Sequence, residues 1–269
     1  MSNYPKYVRV FKLGVQASVE YRLDFAFSLI SAFFPIMIQY YIWKAIYGES
    51  GTGQFFGYTY GEMILYTIVA AIVTKIVSTN MDHVIAFDIK DGALNKYLVQ
   101  PVSYFGLKLF TLLGQKLFFF TVMLAILFLA IFYFSGLYSI RIPFVNLVYF
   151  VAAMALSLIL NFFISYTIAA IAFWLSEISY FFEMTGLFVI ILSGGVFPIE
   201  VFGRTVNTML SYLPFKYTIY FPSNVINGKL TMNEITEGLL MQGLWIGVMF
   251  LVSKLAWRIG FKKYLGLGG

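Results

Sequence analysis

Six long apolar stretches occupy most of this 269-residue chain, and nearly every charge falls in the gaps between them. They run Phe25–Tyr47, Tyr60–Asn80, Leu109–Phe134, Phe144–Trp174, Phe181–Gly195 and Leu239–Trp257. A helix rises ~1.5 Å per residue, so about 20 apolar residues cross a hydrocarbon core ~30 Å thick. Five of the stretches meet that length, and Phe181–Gly195 falls short of it. The chain therefore reads as an all-α polytopic membrane protein, a single transmembrane domain over residues 1–269. Its function is to be sought in or across a bilayer.

Composition points the same way. Hydrophobic residues make up 61% of the chain and charged residues 11%; a soluble protein carries ~25% charged residues. The chain has no cysteine, which excludes disulfides, thiolate metal sites and cysteine nucleophiles. Its first residues, Met1 to Lys6, carry no short apolar core with a small-residue cleavage site, so no removable signal peptide is expected. The net charge of +6 suits a cytoplasmic membrane face better than nucleic acid.

The basic residues set an expected orientation. Lys6, Arg9, Lys12 and Arg22 precede the first stretch; Lys90, Lys96 and Lys108 follow the second; Lys254, Arg258, Lys262 and Lys263 close the chain. The alternate gaps hold Arg141, Arg204, Lys216 and Lys229. The positive-inside bias places both termini in the cytoplasm, which requires an even number of crossings, and six satisfies it.

Three gaps have structure of their own. Residues 4–22 repeat Tyr4, Tyr7, Val8, Phe11, Val15 and Val19 at helical spacing against a basic polar face. That pattern fits a helix in the inner headgroup layer, or one packed on another protein. Residues 82–107 form the largest cytoplasmic segment, one or two short helices broken at Gly92 and Pro101. On the outer side, residues 193–236 open with Ser193-Gly194-Gly195 and Pro198. Phe202, Val206, Met209 and Leu213 then recur at helical spacing before Pro214, and Tyr217–Asn227 ends at Gly228. This segment is too apolar for a water-exposed loop and reads as a re-entrant helical hairpin, whose backbone must be helical or buried in protein.

The search for catalytic chemistry is negative. No G-x-x-x-x-G-K-[ST] or G-x-G-x-x-G occurs, so the chain has neither familiar grip on nucleotide phosphates. There is no H-E-x-x-H, a single histidine, and no G-x-S-x-G elbow. Asp82 and His83, with Asp88 and Asp91, read as solvated charge at a membrane boundary rather than a metal or acid–base cluster. Within the stretches the polar residues are Lys75, Lys116, Asn161 and Glu183. Intramembrane ionisable groups are functional candidates by default; snorkelling competes as the account of Lys75 and Lys116, and an interfacial position as that of Glu183. No ladder of buried carboxylates or paired broken spans suggests a secondary carrier, and no charged ring suggests a channel.

Two segments carry a family resemblance. Asp88-Ile-Lys-Asp-Gly-Ala-Leu-Asn-Lys-Tyr-Leu-Val-Gln-Pro101 is similar to the segment after the second span of ABC-2 type transporter permeases. Ser193-Gly-Gly-Val-Phe-Pro-Ile-Glu200, Leu213–Tyr217, Tyr220-Phe-Pro222 and Gly228–Leu230 resemble the same family's outer segment. Gln242-x-x-Trp245, Lys263-Tyr264 and Gly268-Gly269 extend the match, which is nearest to the branch whose permease components occur in pairs.

The resemblance implies a half-transporter in a prokaryotic plasma membrane. A second permease, a paralogue in preference to an identical copy, would complete the pathway, and a cytoplasmic ATPase dimer carrying ATP and Mg would drive it. Coupling to that ATPase falls on Asp88, Asp91, Gly92, Leu94, Asn95, Lys96, Leu98 and Pro101, with a smaller contact at Glu177. An outer gate falls on Phe197, Pro198, Phe202, Tyr212, Phe215, Tyr217, Tyr220 and Phe221, where interfacial anchoring competes as an account. The expected cargo is amphipathic or hydrophobic and moves outward, because nothing resembles a dock for an external binding protein. The alternative class is a membrane-embedded lipid- or glycan-modifying enzyme or scaffold, which would need convergent carboxylates, histidines or arginines.

Overall fold

A computed structural model describes residues 4–20, 22–48, 53–100, 102–138, 143–175 and 179–264. Among the described residues the regular elements are all helices, joined by turns and short irregular stretches, with one isolated bridge between Phe55 and Tyr58. In chain order the helices are α1 (Tyr4–Glu20), α2 (Arg22–Tyr47), α3 (Tyr60–Val77), α4 (Met81–Lys90), α5 (Leu94–Leu98) and α6 (Tyr104–Tyr138). There follow α7 (Phe144–Ala169), α8 (Ser179–Leu192), α9 (Gly203–Ser211), α10 (Tyr220–Ile226) and α11 (Met232–Phe261).

Among the described residues four stretches are long and apolar enough to cross a bilayer: Tyr60–Lys90, Tyr104–Phe134, Phe144–Phe173 and Met232–Phe261. The expected first and fifth spans fall on α2 and α8, which are not among those four. α2 is 26 residues long with Pro35 inside it, where one main-chain hydrogen bond is forfeited. α8 has 14 residues, about 21 Å of helix, too little for a full crossing unaided. Its short length is structural. The Ser193 carbonyl accepts from the Tyr220 N–H at 2.8 Å and the Gly194 carbonyl from the Tyr66 hydroxyl at 2.7 Å, so the next segment and α3 satisfy the helix end.

Two spans begin on the same local device. Thr59 and Glu62 form a reciprocal capping box at the start of α3, and Thr231 and Glu234 another at the start of α11. At this end of the bundle, called here the far end, α10 is buried along its whole length against α3 and α7. Asn146 of α7 donates to the Val225 carbonyl at 3.1 Å, and the Tyr58 hydroxyl to Asn224 at 2.8 Å. Gln242 of α11 reaches the carbonyls of Ala153 and Tyr217 and the Ser157 hydroxyl, tying three elements together.

The opposite, basic end is held by an aromatic seam. Tyr166 and Trp257 stack with centroids 4.6 Å apart, and Phe173 meets Trp257 edge-on at 5.3 Å. The Trp257 indole N–H also donates to the Tyr166 carbonyl at 3.1 Å. α1 crosses the first half of α6 rather than standing apart. A Cβ on Gly14 would lie 2.7 Å from the Thr111 carbonyl oxygen, so the two backbones meet where only hydrogen fits. Ser18 donates to the Gln115 carbonyl at 2.6 Å, and Tyr7 stacks on Phe110 at 5.1 Å. Part of the small and apolar face of α1 thus has a partner within the chain.

Candidate functional site

The helix running from Tyr60 to Lys90 breaks at Ser78-Thr79-Asn80, three residue types whose side chains compete with main-chain hydrogen bonding and favour helix ends. Ser78 is extended (φ −60°, ψ 132°), and α4 restarts at Met81. Carbonyls freed by a break inside a bilayer need donors. Two neighbouring helices supply them. Asn161 of α7 donates to the Val77 carbonyl at 2.7 Å, while the Lys116 ammonium of α6 donates to Ser78 at 2.5 Å and Lys75 at 3.3 Å. Of the four polar residues picked out within the spans, two are therefore occupied in closing this break, and Lys75 itself is exposed.

Beside the break lies a cavity of about 610 Å³, bounded by the α3–α4 junction, α7 and α8. Its polar lining comprises Ser78, Thr79, Asn80, Asp82, His83, Asn161, Ser165 and Glu183, and its apolar lining includes Phe87, Ile168, Phe182, Leu187 and Ile190. Asp82 is only 7% exposed. Asp82 lies in the first turn of α4, beside His83. The ion pairs among the described residues are Lys108–Asp88 and Lys229–Glu62, so no counter-charge lies at salt-bridge distance from Asp82. The His83 ring packs against Phe182 with centroids 5.7 Å apart. Among the described residues no three His, Asp or Glu side chains converge as a metal site.

This cavity was only partly legible in the sequence. Asn161 and Glu183 stand out as polar residues in apolar runs, but Asp82 and His83 read as boundary charge. Nothing local announces that a 79-residue separation from Asp82 to Asn161, and then 22 more to Glu183, bring all four into the lining of one cavity. The helix break was the available signal, because Ser-Thr-Asn interrupts an otherwise apolar run.

The segment 82–107, expected from the sequence to couple to an ATPase, divides into anchors and exposed positions. Asp88 pairs with Lys108 at 2.6 Å and accepts from the Tyr104 hydroxyl at 2.6 Å, while the Lys108 ammonium lies 5.4 Å from the Tyr97 and Tyr104 ring centroids. Leu94 is fully buried in the seam at the basic end. Gly92 turns α4 into α5 at φ +71°, a region that favours glycine. Asn95 is half-buried, Asp91 and Lys96 are exposed, and Leu98 ends α5. Val99, which the sequence did not single out, is 86% exposed. Pro101, Glu177, Arg141, Gly268 and Gly269 lie outside the described residues.

Of the far-end aromatics expected to form a gate, Phe197, Tyr217, Tyr220 and Phe221 join one hydrophobic cluster, and the others do not. Pro198, Tyr220 and Phe221 are buried, Phe197 meets Trp43 edge-on at 6.0 Å, and Phe215 and Tyr217 are half-buried. Phe202 and Tyr212 are exposed. The polar contacts there are specific: the Tyr220 hydroxyl donates to Glu200, and Lys229 pairs with Glu62 at 2.8 Å over the Tyr58 ring. Burial pushes the Glu200 carboxyl above the usual carboxylate range and the Lys216 ammonium below its usual value.

A comparison with curated proteins finds no match. A family model described as "ABC-2 family transporter protein" matches residues 33–268. That range takes in α3 to α11 and the whole lining of the cavity. With membrane-length helices and a polar hollow between them, the chain belongs to the ABC-2 transporter family.

Proposed function

We propose that this chain is the permease half of an ATP-driven exporter that moves amphipathic cargo across the plasma membrane of a prokaryote. The observation that carries the reading is the cavity at the α3–α4 break, whose lining mixes polar and apolar side chains. A pocket of this size and mixed lining suits a molecule with both kinds of surface. The chain lacks a phosphate-binding loop, so ATP and Mg are assigned to a separate cytoplasmic ATPase dimer. A second permease, a paralogue in preference to an identical copy, completes the pathway opposite the cavity.

In this reading α2 and α8 complete six crossings, with the segment 193–236 re-entering from outside behind α8. Both termini then face the cytoplasm, as the basic end requires. The turn from α4 to α5 carries the ATPase contact, and Asp88, pinned by Lys108, passes its movement to α6 as a rigid unit. The buried α10 and its aromatic neighbours form the outer closure. The test is co-expression with the ATPase and permease encoded beside it, followed by reconstitution. ATP-dependent efflux of a lipophilic fluorophore that needs all the subunits is the expected result; ATP hydrolysis by the isolated chain, or accumulation driven inward, would overturn it.

A further inference from the structure

Burying a carboxylate without a counter-charge is costly, and proteins that keep one in a cavity have a use for it. Asp82 is such a group: nine-tenths buried, lining a hollow and, among the described residues, in no salt bridge, with the adjacent His83 as the basic side chain that acts on it. The lysines of the neighbouring spans do not serve it. Lys116 is committed to the carbonyls of Ser78 and Lys75, and Lys75 is exposed. Glu183 adds a second acidic group at the exposed side of the same cavity. Phe182, Leu187 and Ile190 of α8, the helix that also carries Glu183, add apolar surface to the same lining.

We infer that the cavity recognises the cationic head of an amphiphile, with Asp82 as its buried counter-charge and Glu183 at the entrance. The inference rests on the cavity being the cargo path and adds the sign of the cargo's charge. An ammonium or phosphonium group in the hollow is attracted by Asp82, which no salt bridge engages among the described residues, while its apolar part lies on α8. An anionic amphiphile meets two like charges in the same space and is rejected. His83, on the same turn, packs its ring on Phe182 and so forms part of the floor under the bound head.

The test uses the full chain in nanodiscs of neutral lipid, without ATP, and two ions of nearly equal shape and opposite charge, tetraphenylphosphonium and tetraphenylborate. The cation is expected to bind saturably and more tightly than the anion. Asp82→Asn, which keeps the shape, should weaken the cation by about tenfold and leave the anion no weaker. Glu183→Gln should weaken the cation less, and Glu183→Lys, at an exposed position that spares the fold, should abolish its saturable binding. Glu237→Gln, on exposed α11 surface, should change nothing. Equal affinity for the two ions, or cation binding unmoved by Asp82→Asn and Glu183→Lys alike, overturns the inference. Efflux by the whole complex is read separately, so a failure of ATP-driven transport counts against the exporter reading alone.

Discussion

The Lys116 ammonium, carried by α6, reaches the main-chain carbonyl of Ser78 at 2.5 Å and so caps the end of α3 from outside that helix. Helix C-terminal carbonyls attract cations, and a hydrogen bond from a charged donor contributes about 1.5–3 kcal/mol. Replacing Lys116 with Met keeps the length and apolar stem but leaves the Ser78 carbonyl without this donor. Lys116→Met is expected to lose about 2 kcal/mol of stability, with Lys116→Arg losing less. Thermal unfolding of the purified chain in detergent, followed by circular dichroism, reads the difference. A melting point unchanged by Lys116→Met would show that the break does not depend on α6.

Asp88 and Lys108 make a second bond across the chain, this one linking the proposed coupling segment to the start of α6. Both side chains are mostly buried, so removing one partner strands the other's charge. Breaking such a pair costs about 3–5 kcal/mol, whereas replacing both with apolar groups costs far less. Asp88→Leu and Lys108→Met are each expected to be strongly destabilising alone. The double variant should recover most of the loss, and a double-mutant cycle measures that coupling directly. Additive losses would remove Asp88 as the anchor of the segment.

The sequence yields the membrane class, the helical content and the family, because these depend on run length and on local motifs that survive without tertiary context. It also held two signals that went unread: Thr59-x-x-Glu62 and Thr231-x-x-Glu234 are capping boxes that mark the starts of α3 and α11. The cavity was less accessible. Asp82, Asn161 and Glu183 come from three helices, and only packing shows that they line one cavity. Leu94 illustrates the converse. It sits in a motif that resembles an ATPase contact, yet its side chain is buried in the chain's own core. A motif places a segment on a surface but does not say which of its side chains point outward.

Glu200 gives a pH-dependent signature at the far end. Burial raises its carboxyl above the ordinary value of 4.5, the Tyr220 hydroxyl holds one oxygen, and Oε2 is buried without a hydrogen-bond partner among the described residues. The folded chain therefore keeps a proton over a pH range in which the unfolded chain has lost it. Its stability contribution is complete below the unfolded value and is lost as pH rises through the raised folded value. The melting temperature is expected to fall on going from about pH 4.5 toward neutral. Glu200→Gln retains an acceptor for Tyr220 and should flatten this dependence, with equal or higher stability at neutral pH. A variant as pH-sensitive as the parent would assign the effect to another group.

The turn from α4 to α5 tests the proposed contact with an ATPase. Asp91, Lys96 and Val99 are exposed, and Leu94 and Asp88 are turned into the fold. A partner docked on this turn touches the first set and only depends on the second. Asp91→Arg with Val99→Glu is therefore expected to leave the melting temperature of the isolated chain within about 2 °C of the parent, since exposed substitutions shift stability by about ±0.5 kcal/mol. The same variant should reduce ATPase co-purification, or cut transport per ATP hydrolysed, by about tenfold, equivalent to ~1.4 kcal/mol of interface energy. Leu94→Arg should instead lower the melting temperature itself, because it forces a charge into a filled core. Normal coupling in Asp91→Arg/Val99→Glu would move the ATPase contact away from this turn.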